Sequence, residues 1–333
     1  MTVTIRDVAD RAGVSVATVS RALSGSRKVS PDLAARVADA AAELGYRHNA
    51  LARALRRGQT NTVGMVVPEI GNPFFPTVVE AVERTLAETR RDLFLCDSQL
   101  DAETERRRVR ALVGRKIDGL IIIPVSATHS AASLREAVGR VPVVQVDRYV
   151  PGFDADWVGV DERAGITRII EHLFARGARR CVFVSARPDS SAAQERLADV
   201  ETAARTHRIE CGEPLLGAFS AEWGRQAAIR LLALPSLPDA VVCGNDEIAV
   251  GVLCEFRRRQ IRVPEQVWVT GFDDIRFALL TDPPLTTVRQ PHEQMATECV
   301  RLLDERIADP EAPIRRVAVT PTLVIRESTG GPA

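Results

Sequence analysis

The sequence predicts a small all-α helix-turn-helix head on a larger α/β body, built as two lobes of doubly wound parallel sheet. Three observations predict this. Residues 1–58 carry three helix-start signals in quick succession, together with ten Arg or Lys against five Asp or Glu. From Thr62 onward, short β-branched runs alternate with helical stretches, as parallel sheets covered on both faces require. The 333 residues exceed what one ordinary core supports, and their 45% hydrophobic content is that of a folded chain.

Caps alone define the head helices. Thr4-x-x-Asp7 is a capping-box variant ahead of apolar Val8, Ala9 and Ala12. Gly13 stops that helix, because glycine tolerates the left-handed turn. Ser15-x-x-Thr18 opens a second helix, from Val16 to about Leu23. Ser30 caps a third, with Pro31 in its first turn and Leu33, Val37, Ala40, Ala41 and Leu44 as its apolar stripe before Gly45. Two short helices joined by a three-residue turn form a helix-turn-helix, whose second helix can enter a DNA major groove. Val16, Ala17, Thr18, Ser20 and Arg21 are small or polar enough for that surface, with Val19 turned to the core. Caps and a glycine turn fit a plain three-helix bundle equally well. The head's net charge of +5, on a body of −5, favours a polyanion partner.

The motifs DVA-x-x-AGVS, ATVSR-x-L and LGY-x-x-N stand in order and at matching spacing across residues 4–55. This stretch resembles the N-terminus of the lactose-repressor (LacI-type) family of bacterial transcription regulators. The resemblance implies that Val16, Ala17 and Arg21 reach base edges, and that Thr18 and Ser20 position the helix on phosphates. It also implies that Ser15 holds a phosphate at the helix N-terminus, with Thr4 joining the DNA-binding set. Residues 49–57 have helical spacing but span only about two turns, too short for a stable isolated helix. On its own this segment reads as a solvated connector. The resemblance implies a hinge helix that orders on the operator and pairs across a dimer. Asn49 and Ala52 would then lie at the DNA, with Leu55 wedging between base pairs from the minor groove. The expected domains are 1–48, a hinge and linker at 49–59, and an effector-binding and dimerisation body at 60–333.

In the body, the strand runs are TVGMVV, DLFLC, GLIII, VPVVQV, CVFVS, AVVCG and VWVTGF, with helical patterns at 74–89, 162–176 and 246–259 among the gaps. This is more strand than one compact sheet needs, so two lobes with a ligand cleft between them are expected. Polar residues follow the strands: Asp97, Asp147, Asn245-Asp246 and Asp273-Asp274. Ligands of open parallel sheets bind outside the strands' carboxyl ends. Each such residue also suits a helix N-cap. Asp246 and Asp274 read as caps or cap neighbours, and Asn245 and Asp273 as ligand contacts.

NPFFP, K-x-DGLI, GNDE-x-AVG, GFDD and PPLTTV-x-Q-P extend the family resemblance over the body. The implied fold is that of the type I periplasmic sugar-binding proteins. The implied effector site comprises Asn72, Phe74, Asp147, Asp161, Ser190, Arg196, Phe219, Asn245 and Asp273, with Arg196 clamping ligand oxygens and Phe219 stacking. A Phe74–Phe75 stripe is more often core than ligand platform. The chain departs from the family where RLADV replaces RLAGF, and where Ala218 replaces the carboxylate of GDF. Ser190 and Ala192 stand where purine-responsive members carry longer or hydroxylated residues, which argues against a purine. A small polar effector, a sugar or sugar derivative, is expected.

Other classes find no support. The longest apolar runs are far below the roughly 20 residues of a spanning helix, and the N-terminus carries Arg6, Asp7 and Asp10 where an export signal would be apolar. The six cysteines form no CxxC and no zinc spacing, which suits a reduced cytoplasmic protein with no metal or cofactor. GxSxG, Walker, HExxH and helix-opening GxGxxG motifs are absent, so no enzyme is expected. The expectation is a ligand-responsive, sequence-specific DNA-binding regulator, a repressor of carbohydrate-related genes. It would act as a homodimer on a pseudo-palindromic double-stranded operator. The alternative is a transport-type binding protein with no DNA role, which leaves residues 1–58 without a purpose.

Overall fold

The computed structural model describes residues 3–24, 29–46 and 60–331. The expected hinge, with Asn49, Ala52 and Leu55, lies outside them. The chain divides into two compact units, residues 1–60 and 61–333.

The head has three helices, α1 (Ile5–Ala12), α2 (Val16–Ser24) and α3 (Pro31–Glu43). The Thr4 amide and hydroxyl both donate to Asp7 Oδ2 at 2.7 Å, closing the start of α1 and holding the Asp7 carboxyl below its ordinary range. Gly13 ends α1 at φ 65°, in the left-handed region that glycine reaches without strain. The core is Val8, Ala9, Ala12, Val19, Val37, Ala40 and Ala41. Val19 faces inward while Val16, Ala17 and Arg21 stay exposed, as the helix period requires.

The body holds two parallel sheets. The first orders its strands β12-β5-β4-β3-β1-β2, with β1 Thr62–Val67, β2 Asp92–Asp97, β3 Gly119–Ile122, β4 Val143–Val146, β5 Asp156–Val160 and β12 Arg316–Val319. Helices α4 (Phe74–Glu88) and α11 (His292–Ala308) cover one face, and α5 (Ala102–Gly114) and α6 (Ala131–Ala137) the other. The second sheet is β10-β9-β6, with β7 and β8 both pairing β6: β6 Arg180–Ala186, β7 Glu210–Cys211, β8 Leu215–Gly217, β9 Ala240–Cys243 and β10 Trp268–Thr270. Here α7 (Glu162–Ala175) and α8 (Ser191–Thr206) cover one face, and α9 (Ala221–Leu232) and α10 (Asp246–Arg258) the other.

The two lobes are not consecutive in sequence. The chain passes from the first sheet to the second after β5 and returns at α11 for β12. It then leaves again for β13 (Thr322–Val324), which pairs antiparallel with β11 (Thr287–Arg289). This small third sheet has no local signature, because its strands are three residues each and even their central partners, Val288 and Leu323, are 35 positions apart.

One strand departs from the doubly covered pattern. The run DLFLC reads as a buried strand, yet Phe94 and Leu95 of β2 are 47% and 39% exposed. The cause is position: among the described residues β2 is the outer strand of its sheet, with no neighbour beyond it.

Candidate functional site

A cavity between the lobes is lined from the carboxyl ends of strands in both sheets. After β1 come Asn72, Phe74 and Phe75, and after β4 come Asp147 and Arg148. The second lobe supplies Ala192, Arg196, Phe219, Asn245 and Asp273. Asn72 Oδ1 accepts from the Phe74 amide at 3.0 Å, and Asn245 Oδ1 caps α10 through the Ile248 amide at 3.0 Å. Both asparagines thus spend their oxygen on the backbone. Asp147 and Asp273 sit at φ 61° and 116°, a costly backbone region for residues with a Cβ.

Arg196 is 3% exposed and held by a fixed cradle. Its Nε and Nη2 donate to Glu162 Oε2 and Oε1 at 2.7 and 2.9 Å, and its Nη1 donates to the Gly244 carbonyl at 2.7 Å. The guanidinium stands 3.8 Å above the Phe272 ring and 3.8 Å from Asp273 Oδ1. Burial works against its charge, but Glu162 and Asp273 outweigh it and keep the arginine protonated. A glycine is required at 244, since a Cβ there would lie 2.2 Å from Ser185 Oγ. Burial pushes Asp273 up to about 7 against the pull of Arg196. Gln290 Nε2 donates to its Oδ1 at 2.8 Å.

Arg148 and Glu162 were not singled out from the sequence. Arg148 is buried between Phe75 and Phe219, with its guanidinium carbon 5.4 and 5.6 Å from the two ring centres. Its Nε has no hydrogen-bond partner, and the neighbouring Asp147 Oδ2 stands 3.6 Å away. Asp147 Oδ1 is also buried and unpartnered, and burial raises that carboxyl. A buried donor and a buried acceptor on consecutive residues thus lack hydrogen-bond partners. The one available signal was Arg148's place directly after Asp147 at a strand end.

Asp161 and Ser190 stand elsewhere. Asp161 caps α7 through the Ala164 amide at 2.9 Å, and Ser190 caps α8 through the Ala193 amide at 3.4 Å. Neither lines the cavity, and their chain neighbours hold residues of the site from behind. Glu162 binds Arg196, and Ser191 Oγ accepts from the Tyr149 amide at 3.0 Å. Tyr149 also donates its hydroxyl to Glu195, and the Ala127 amide donates to the Asp189 carbonyl at 2.8 Å. These contacts join the lobes, and the free volume among the lining residues is about 20 Å³, space for a single water.

On the head, Ser15 Oγ accepts from the Thr18 amide at 3.2 Å and lies 2.9 Å from the Thr18 hydroxyl. Arg21 Nε donates to the Ala17 carbonyl at 3.1 Å, along the exposed side of α2. Val16, Ala17 and Arg21 form the open face of that helix, while Thr18 and Ser20 are half-buried. No group of three or more potential metal ligands occurs among the described residues, and none of their helices is long and apolar enough to cross a membrane.

Known proteins match both units. The family described as bacterial regulatory proteins, lacI family, matches residues 4–49, and a periplasmic binding protein-like domain matches residues 170–329. The ribose operon repressor of Escherichia coli (strain K12) is 32% identical over 327 residues, covering 98% of this chain and 99% of that one. The HTH-type transcriptional repressor PurR of Haemophilus influenzae (strain PittEE) is 30% identical over 330 residues, 98% of each. The crystal structure of the Lac repressor dimer bound to operator and the anti-inducer ONPF superposes with a TM-score of 0.89 at 25% identity, covering 99% of each chain.

Proposed function

This chain belongs to the lacI family of bacterial regulatory proteins and is a ligand-responsive, DNA-binding transcription repressor; on that premise we propose how it reads its operator and its effector. The recognition surface is the open face of α2. Val16, Ala17 and Arg21 read base edges, while Thr4, Ser15, Thr18 and Ser20 set the helix on phosphates. Among these residues Arg21 carries the one long donor, suited to guanine O6 and N7. Arg21→Ala is expected to cost roughly 1–3 kcal/mol of operator binding and to relax one symmetric base position. Binding-site selection with both proteins checks this, and an unaltered consensus counts against the role. Asn49, Ala52 and Leu55 belong to a hinge at 49–59, which orders on DNA with Leu55 as the wedge.

The effector is an uncharged, hydroxyl-rich molecule of sugar type. The observation that carries this reading is the adjacent unused donor and acceptor, Arg148 Nε and Asp147 Oδ1. One hydroxyl group serves both, since it donates and accepts. Charge points the same way. Arg148 and Arg196 face Asp147, Asp273 and Glu162, and Glu162 already neutralises Arg196. A phosphate or carboxylate ligand would meet no cation that lacks an acid beside it, since Asp147 stands next to Arg148 and Glu162 and Asp273 next to Arg196. Asn72, Phe74, Phe219, Asn245 and Asp273 complete the ring. Entry requires the lobes to part, because the closed cavity holds about 20 Å³. Asp161 and Ser190 then act by capping the helices that carry Glu162 and Arg196 rather than by touching the ligand.

Asp273 makes the affinity depend on pH. Its carboxyl titrates at about 7 in the closed cavity, and hydroxyl donors favour its ionised form. Effector binding is therefore expected to release a proton near neutrality, so affinity rises as pH goes from about 6 to about 8. Calorimetry in buffers of different ionisation enthalpy measures that proton. Asp273→Asn is expected to abolish its release, and an equal release in that variant would assign it elsewhere.

The working state is a homodimer on a pseudo-palindromic operator, in the cytoplasm where the DNA is. Exposed apolar side chains support a self-association surface, with Phe94 and Leu95 on β2 of one lobe and Leu279 and Leu280 of the other, Leu280 at 76% exposure. The test of the whole reading is operator titration with and without a panel of pentoses and hexoses. The relative named for a ribose operon makes D-ribose the first probe. An operator response to one sugar supports the reading, and indifference to all of them removes the sugar assignment.

A further inference from the structure

Two thiols lie together away from the effector cavity. Cys181 on β6 and Cys211 on β7 are register partners in a parallel pair, so both side chains leave the sheet on one face. Adjacent strands run about 4.8 Å apart, within the roughly 4.4–6.8 Å Cα separation that a disulfide spans. β7 has only two residues and, among the described residues, no strand beyond it, so it can adjust to bring the sulfurs together.

Their surroundings differ in the way that divides a reactive thiol from its partner. Cys181 is 1% exposed, within the core of Phe183, Val200 and Ile209. Cys211 is half-buried and lines a surface pocket of about 360 Å³, open to small solutes and walled in part by Arg205, Glu201 and Leu197. The Cys181 thiol beside it draws Cys211 below the ordinary thiol range, against burial and the Glu201 carboxylate, while Cys181 itself is raised. The pocket lies behind α8, whose cavity-facing side carries Ala192 and Arg196.

We propose that Cys211 and Cys181 form an oxidisable dithiol, in which a small peroxide entering this pocket reacts at Cys211 and Cys181 closes the disulfide. The Cys211 thiolate attacks one oxygen of hydrogen peroxide, the O–O bond breaks, and the departing hydroxide takes up a proton as water. The Cys181 sulfur then attacks the resulting sulfenic sulfur, the S–O bond breaks, and the Cys181 proton leaves with the hydroxyl as a second water. Two thiols lose two electrons, and one peroxide becomes two waters.

The test treats the full-length reduced protein with hydrogen peroxide, alkylates what remains, and maps the peptides by mass. The expected result is a chain about 2 Da lighter, with a cross-linked peptide joining Cys181 to Cys211. In Cys181→Ser, Cys211 has no resolving partner and is expected to proceed to the sulfinic acid instead. Cys254, exposed and outside the pair, is the internal reference. Full alkylation of both Cys181 and Cys211 at a peroxide dose that consumes Cys254 overturns the proposal. So does a cross-link from Cys211 to any other cysteine, or an unchanged course of Cys211 oxidation in Cys181→Ser.

Discussion

Arg196→Ala is expected to destabilise the body by roughly 3–5 kcal/mol and to abolish the effector response, because it strands a buried carboxylate. Glu162 is 4% exposed and takes both of its charge-assisted hydrogen bonds from Arg196. With the guanidinium gone, Glu162 keeps its desolvation cost and loses its partner, and the Gly244 carbonyl loses its donor as well. The ring of Phe272 is left beside a void where a fully buried side chain stood. Two roles are folded into one residue here, and a second variant separates them. Arg196→Ala combined with Glu162→Gln removes the orphaned charge, so part of the lost stability is expected to return. The effector response is expected to stay absent, because the donor toward the cavity is still missing. Urea melts and operator titration with and without effector measure the two effects. Parental stability in the single variant would show that the ion pair does not hold the lobe. A restored response in the double variant would remove Arg196 from the effector site.

Operator affinity is expected to fall by roughly 10³–10⁵ between about 50 and 200 mM salt, while effector affinity barely moves. The whole chain is neutral, with a sequence pI near 7.0, so bulk charge predicts no such sensitivity. The distribution does. Residues 1–58 carry a net +5, and a dimer presents two such heads to a polyanion. Each phosphate neutralised releases condensed counterions, and that release weakens as salt rises. The cavity behaves differently, because Arg196 and Glu162 are buried and paired within the protein, where salt screens little. Operator and effector titrations at several salt concentrations measure both slopes. A flat operator slope would remove phosphate contacts as the main source of affinity. A steep effector slope would instead point to a charged ligand.

The head was legible almost residue by residue. Its caps act over three or four positions, so Thr4, Gly13, Ser15 and Ser30 declare helix ends without reference to the rest of the chain. The inward turn of Val19 follows from the helical period alone. The body's parallel character was legible for a similar reason, since apolar runs such as GLIII sit between helices and must be covered on both faces. What those runs do not reveal is their order in the sheet. DLFLC and GLIII look alike as strings, yet β2 lies at the edge with Phe94 exposed and β3 lies fully buried inside.

The candidate site divides along the same line. The strand-end rule drew attention to Asp147, Asn245 and Asp273, and motif resemblance to Asn72, Phe74, Arg196 and Phe219; all seven line the cavity. Asp161 and Ser190 also flank strands and helices in the expected way, but their side chains turn back to cap α7 and α8. Local sequence cannot distinguish a carboxylate that caps from its neighbour that reaches across, because one residue of rotation about the helix start decides it. Arg148 shows the limit most clearly. A charged residue after a strand reads as solvated, and its burial is set by Phe75 and Phe219, 73 positions before it and 71 after it. By itself the sequence determined the elements, the caps and the charge division between head and body, because those depend on neighbours a few residues away. Tertiary structure alone decided which strand is the edge, which acid binds Arg196, and which arginine fills the cavity, because each depends on lobes that the chain crosses three times to build.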